Sequence, residues 1–115
     1  MKTPLFIIDE KRLRKNCETL AEVKKAAGCK ILLAQKAYSA WATYPVIAEY
    51  RDGTAASGLY EARLGKEKFG KETHVFSPAY KAEEFDEVLK YADHVVFNSP
   101  RQLRLYAAAA KEKGK

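Results

Sequence analysis

Short apolar runs alternate along this chain with longer stretches whose apolar residues recur at helical spacing. Leu5-Phe6-Ile7-Ile8 predicts a first strand, closed by Asp9, a residue suited to cap a helix. Leu13, Cys17, Leu20 and Ala27 then fall near helical spacing until Gly28 ends the segment. Ile31-Leu32-Leu33-Ala34 is continuously apolar, as a strand covered on both faces should be. A helix predicted from Trp41 to Tyr50 stops at Asp52-Gly53. Thr54-Ala55-Ala56-Ser57 predicts a weaker strand, and a helical stretch around Tyr60, Ala62 and Leu64 ends by Gly70. His74-Val75-Phe76 and His94-Val95-Val96-Phe97 predict two further strands, each followed by a helix. Phe85, Val88, Leu89 and Ala92 sit at i, i+3, i+4 and i+7, and Leu103, Tyr106, Ala107 and Ala110 repeat that spacing. Ser77-Pro78 breaks one strand, and Asn98-Ser99-Pro100 supplies a cap with proline in the first helical turn.

The ends of these strands carry the chemistry. Lys36, Ser57, Ser77 and Asn98 each follow an apolar run, at intervals of 21, 20 and 21 residues. Units that short, repeated in phase, suit a (β/α) barrel or an open parallel sheet. In either, the carboxyl ends of the strands share one side, where ligands bind. Four or five units make about half of a barrel of roughly 250 residues. The expected fold is therefore α/β, the N-terminal half of a (β/α)8 TIM-like barrel, with residues 1–115 forming one partial domain.

Composition narrows the function classes. With 115 residues and 47% apolar content, the chain can bury one core and is not disordered. No apolar run approaches the roughly 18 residues of a membrane span, and Lys2-Thr3-Pro4 opens no signal peptide, so a cytosolic protein with no membrane partner is expected. The net charge of +6 raises nucleic acid as a partner. Bases and acids are interleaved, however, as in Glu22-Val23-Lys24-Lys25, which describes solvated helix faces; no nucleic-acid partner is expected. Cys17 and Cys29 have no disulfide-framework spacing, and Cys17 falls on an apolar stripe that predicts core.

Lys36 is the sharpest candidate. The run from Ile31 to Ser39 takes a lysine straight out of a buried strand onto the ligand rim. Desolvation there would favour the neutral amine, a nucleophile toward aldehydes. Taken alone, one lysine at a strand end also describes a side chain snorkelling to solvent.

The ordered motifs go further. Thr3-Pro4-Leu5-Phe6-Ile7-Ile8-Asp9 and Gly28 to Ser39 resemble the start of the alanine racemase-like, fold-type III pyridoxal-phosphate decarboxylases. Trp41 to Pro45, Asp52 to Ser57, Glu61 to Gly65 and His74 to Tyr80 resemble, within them, the carboxynorspermidine/carboxyspermidine decarboxylases of polyamine synthesis. The resemblance covers essentially the whole chain. It implies pyridoxal 5'-phosphate as cofactor, bonded covalently to Lys36 as catalytic residue; Ser57, Ser77 and Asn98, placed on the same rim by their spacing, are the candidate further cofactor contacts. It implies a carboxylated polyamine substrate and a homodimeric whole enzyme. It also places the phosphate-binding glycines, the acidic partner of the pyridine nitrogen and the substrate residues beyond Lys115. The 115-residue chain alone is accordingly expected to be inactive and to self-associate. Gln35 stands where an apolar residue is expected in that family, and Thr54 where ornithine-type decarboxylases carry Asp. Another fold-type III enzyme, a racemase or a diaminopimelate- or ornithine-type decarboxylase, is the alternative, as is a non-catalytic truncated chain.

Other features have simpler readings. Gly65 to Lys71 fits seven positions of a phosphate-binding P-loop, but Glu72 follows and no strand precedes, so a helix ending in a glycine cap is expected. His74 and His94 open strands away from the rim without a companion at metal-ligand spacing, and no metal is expected. Ser57, Ser77, Tyr80 and Asn98 read equally as site contacts or as caps of the following helices. Trp41, Tyr44 and Phe69 read as packing.

Overall fold

Periodicity this regular gives the βα succession directly. The computed structural model describes residues 2–115. Four strands, β1 Leu32–Ala34, β2 Gly53–Ala56, β3 Glu72–Phe76 and β4 His94–Val96, form one parallel sheet in the order β1-β2-β3-β4. Five α-helices accompany them: α1 Glu10–Ala27, α2 Tyr44–Ala48, α3 Leu59–Leu64, α4 Ala82–Tyr91 and α5 Pro100–Glu112. Neighbours in sequence are neighbours in the sheet. That is barrel order; a doubly wound sheet reverses at its middle.

The helical layer lies on one face. Val75 of β3 and Ala56 of β2 pack against Ala62 of α3, Val88 of α4 and Ala92 just past the end of α4, all buried. Phe85 and Leu89 on the same stripe of α4 meet Ala110 of α5. Burying a side chain such as Leu89 is worth about 1.5–3 kcal/mol, so this stripe is the main force holding α4 to the sheet. A second cluster joins Cys17 of α1 to Tyr44 and Ile47 of α2 and to Phe69. The opposite sheet face is open, with Ala34, Phe76, His94 and Val96 exposed. The result is a slab of 48 × 41 × 21 Å with a radius of gyration of 16.0 Å, where a compact domain of this length has about 13 Å. No helix among the described residues is long and apolar enough to cross a membrane.

Several elements depart from the sequence pattern. Leu5–Ile8 is not a strand; all four side chains are exposed, Phe6 fully. An apolar run becomes a strand only where an edge receives it, and no strand of this sheet pairs with it. The single helix expected from Trp41 to Tyr50 is a 3₁₀ turn, Trp41–Thr43, followed by α2. Pro45 explains the break, because a residue without an N–H belongs in the first turn of a helix. On α1, Cys17 is core as expected, while Leu20 and Ala27 are exposed; on α5, Leu103 is exposed. Gly65–Phe69 continues α3 as a π-helical turn ended by Gly70 in the left-handed region, φ 75°. The P-loop pattern is thus a capped helix end. Tyr44 and Phe69 are buried edge to face, 5.5 Å between centroids. Trp41, by contrast, is exposed, and the Lys68 ammonium lies 5.3 Å from its ring centroid.

Candidate active site

Parallel pairing sends all four strand ends to one rim. β1 stops at Ala34, and the Ala37 and Tyr38 N–H groups both donate to the Ala34 carbonyl, at 3.1 and 3.2 Å. Lys36 sits in that turn, at the carboxyl end of β1. Ala34 pairs with Ala55, so Lys36 is level with Ser57, the residue after β2. Ser77 follows β3 directly, and Asn98 lies two residues past β4. The rim inferred from spacing therefore exists, and the four residues share it.

Lys36 is exposed, so the desolvation expected at the strand mouth is not supplied by these residues. The bland alternative for its neighbours fails as well. Side-chain caps come from Asp9 on α1 and Ser99 on α5, not from Ser57, Ser77 or Asn98. The Ser57 N–H donates to Glu61 Oε2 at 2.7 Å, the Ser77 hydroxyl to the Ala79 carbonyl at 3.1 Å, and the Asn98 amide to the Pro78 carbonyl at 3.4 Å. Tyr80 is the structural member of the rim. Its hydroxyl lies 3.0 Å from both the Val75 and the Val96 carbonyls, joining the ends of β3 and β4, and burial pushes its pKa up.

Next to Lys36 in the chain, a polar cluster that the sequence did not reveal is buried against the helical layer. Gln35 is wholly buried; its N–H donates to the Ala55 carbonyl at 3.0 Å and its Nε2 to the Tyr44 hydroxyl at 3.3 Å. Thr54 is equally buried, and both it and Gln35 back onto Gly65. A Cβ on Gly65 would lie 2.3 Å from Thr54 Oγ1 and 3.0 Å from Gln35 Oε1. Tyr44 thus satisfies the Nε2 of the polar residue at position 35, while Gln35 Oε1 and Thr54 Oγ1 are buried without a hydrogen-bond partner. A hollow of about 850 Å³ lies elsewhere, along Asp9 and along Glu10, Arg14 and Glu18 of α1. It is an open surface of charged side chains with no part in the rim.

A pyridoxal group asks for a primary amine at a ligand-binding rim. Lys36 meets that need, and among the described residues its amine makes no hydrogen bond or ion pair that would hold it elsewhere. Ser57 and Asn98, exposed at the same rim, offer polar contacts.

A sequential parallel β/α sheet with its strand ends on one rim is the arrangement of the N-terminal part of a β/α-barrel. The chain belongs to the family described as alanine racemase, N-terminal domain, which matches residues 8–115. It is 38% identical over 115 residues to a carboxynorspermidine/carboxyspermidine decarboxylase of Herminiimonas arsenicoxydans, covering 32% of that protein. It is 32% identical over 111 residues to a carboxyaminopropylagmatine decarboxylase of Synechocystis sp., covering 29% of it. The solved carboxynorspermidine decarboxylase of Campylobacter jejuni, complexed with norspermidine, superposes with a TM-score of 0.94 at 39% identity. That match covers 97% of this chain and 30% of the other, a TIM-barrel decarboxylase whose N-terminal part this fold reproduces. The chain thus spans about 30% of the length of its relatives.

Proposed function

We propose that this chain is the lysine-bearing part of a pyridoxal-phosphate-dependent carboxy-lyase acting on carboxynorspermidine or carboxyspermidine and yielding norspermidine or spermidine. The observation that carries this reading is Lys36 at the carboxyl end of β1, level with Ser57, in a chain 38–39% identical to such decarboxylases. Norspermidine in the Campylobacter jejuni structure supports a polyamine-type substrate.

Lys36 Nζ would hold the cofactor through its aldehyde carbon. When bound, the cofactor's ring supplies the electron sink that decarboxylation requires. Ser57, Ser77 and Asn98 would orient it from neighbouring strand ends, and Tyr80 would keep the ends of β3 and β4 together beneath it. Lys36 is then the rim group able to hold a proton near the reacting carbon. The net charge of +6 does not complement a cationic amine chain, so any acidic groups selecting the substrate act locally. The whole enzyme is proposed to be a homodimer, and the 115-residue chain alone to turn over no substrate.

The test is covalent trapping. The chain is incubated with pyridoxal phosphate, reduced with borohydride, digested and mapped. One dominant modified peptide containing Lys36, lost in Lys36→Ala, supports the assignment. Label spread over the 15 lysines and unaffected by Lys36→Ala overturns it.

A further inference from the structure

The open sheet face carries a cluster that the rim does not use. His74 and His94 are register partners in adjacent parallel strands. Glu72 lies two residues before His74 in β3, and alternation puts it on the same face. The imidazole centroids are 4.4 Å apart, and His74 Nε2 lies 3.0 Å from Glu72 Oε2. One ligand atom from each of the three residues falls within 4.8 Å of the others. In sequence the two histidines are too far apart to suggest a site; register alone brings them together. His74 is also the third residue of β3 rather than its first, so both rings stand in one layer across the sheet.

Hydrogen bonding explains part of this cluster. Glu72 Oε1 accepts from the Lys30 ammonium, and Oε2 faces His74. It does not explain His94, whose ring makes no hydrogen bond among the described residues although it lies against His74. The donor set is two imidazole nitrogens and one carboxylate oxygen. That set suits zinc-like transition ions and not magnesium or calcium, which take oxygen ligands.

We propose that Glu72, His74 and His94 bind one divalent transition ion of the zinc type, at a site separate from the lysine rim. Ligand bonds of about 2.0–2.2 Å in a tetrahedral site put donor atoms roughly 3.3–3.6 Å apart. The present spacing, within 4.8 Å, is wider than that value, so the three side chains close on the ion when it binds. Water completes the fourth position. Lys30 is the built-in competitor, because it occupies one Glu72 oxygen and places a positive charge beside the site.

The experiment titrates the 115-residue chain, in a Cys29→Ser background that removes the exposed thiol, with Zn2+ by calorimetry and with Co2+ by absorption. One ion per chain and the ligand-field bands of tetrahedral cobalt are expected. His74→Ala and His94→Ala should each weaken binding at least about tenfold, since even residues behind a metal ligand are worth that much. Lys30→Ala should tighten binding, a gain that misfolding cannot imitate. Absence of saturable binding overturns the proposal. So does binding that survives unchanged in the double histidine variant, or affinity that fails to rise in Lys30→Ala. Covalent labelling at Lys36 is read separately, so either assignment can fail without the other.

Discussion

Asp52 and Ile31 clasp each other twice: the Ile31 N–H donates to Asp52 Oδ2 at 2.8 Å, and the Asp52 N–H donates to the Ile31 carbonyl at 3.1 Å. Asp93 and Thr73 repeat the arrangement at 2.9 and 2.8 Å. A lysine completes each clasp at 3.0 Å, Lys24 from α1 on Asp52 and Lys66 from the π-helical turn on Asp93. An aspartate just before a strand thus ties that strand's start to its neighbour, at the end of the sheet opposite the rim.

These clasps predict acid sensitivity. The Ile31 N–H and then Lys24 hold the Asp52 carboxyl below the usual carboxylate range. Burial pushes the Asp93 carboxyl up, but the Thr73 N–H and Lys66 more than offset it, and the net direction is down. A carboxyl whose folded pKa is depressed adds stability that is complete above its unfolded value, about 3.9, and is lost as pH falls through the folded value. The melting temperature should hold between about pH 7 and 5 and drop below about pH 4. An Asp52→Asn/Asp93→Asn chain should start lower and lose less over that acid range. An equal loss in both chains would remove the clasps as the cause.

Tyr80→Phe should destabilise the chain by about 1 kcal/mol, the net worth of a typical hydrogen bond, because its hydroxyl serves the Val75 and Val96 carbonyls. Urea unfolding measures this. Exchange of amide hydrogens should quicken at the ends of β3 and β4 and stay unchanged in β1.

The buried polar cluster of Gln35, Tyr44 and Thr54 responds to paired changes. Gln35→Leu alone should cost about 1–3 kcal/mol, since it strands the buried Tyr44 hydroxyl. Adding Tyr44→Phe should recover much of that loss, because removing both partners is far cheaper than removing one. Gly65→Ala should destabilise the fold by about 1–3 kcal/mol through its collision with Thr54 and Gln35. Thermal unfolding of the three variants checks all three statements.

Caps and rim residues should separate cleanly. Ser99→Ala removes the hydroxyl that accepts from the Gln102 N–H at 3.2 Å and should cost about 0.5–2 kcal/mol. Ser57→Ala caps nothing and should stay within about 0.5 kcal/mol of the parent. If Ser57→Ala proves as costly as Ser99→Ala, the serine is structural and its proposed place at the cofactor is lost.

Much of the fold was legible in the pattern of residues. The stripe Phe85, Val88, Leu89 and Ala92 named α4 and its buried face, because a helix that must cover a sheet repeats its apolar residues every turn. The in-phase spacing of Lys36, Ser57, Ser77 and Asn98 named the rim, because βα units of similar total length return to one edge. What local sequence could not contain was partnership. Leu5–Ile8 has the composition of a strand and no edge to join, while Gln35 has the composition of a surface residue and lies wholly buried against Tyr44. Glu72, His74 and His94 meet only because the β3–β4 register sets them side by side. Propensity and periodicity are carried by near neighbours in the chain and survive in the sequence alone. Register, burial of polar groups and convergence of distant side chains come from packing between elements, and the tertiary structure decided them.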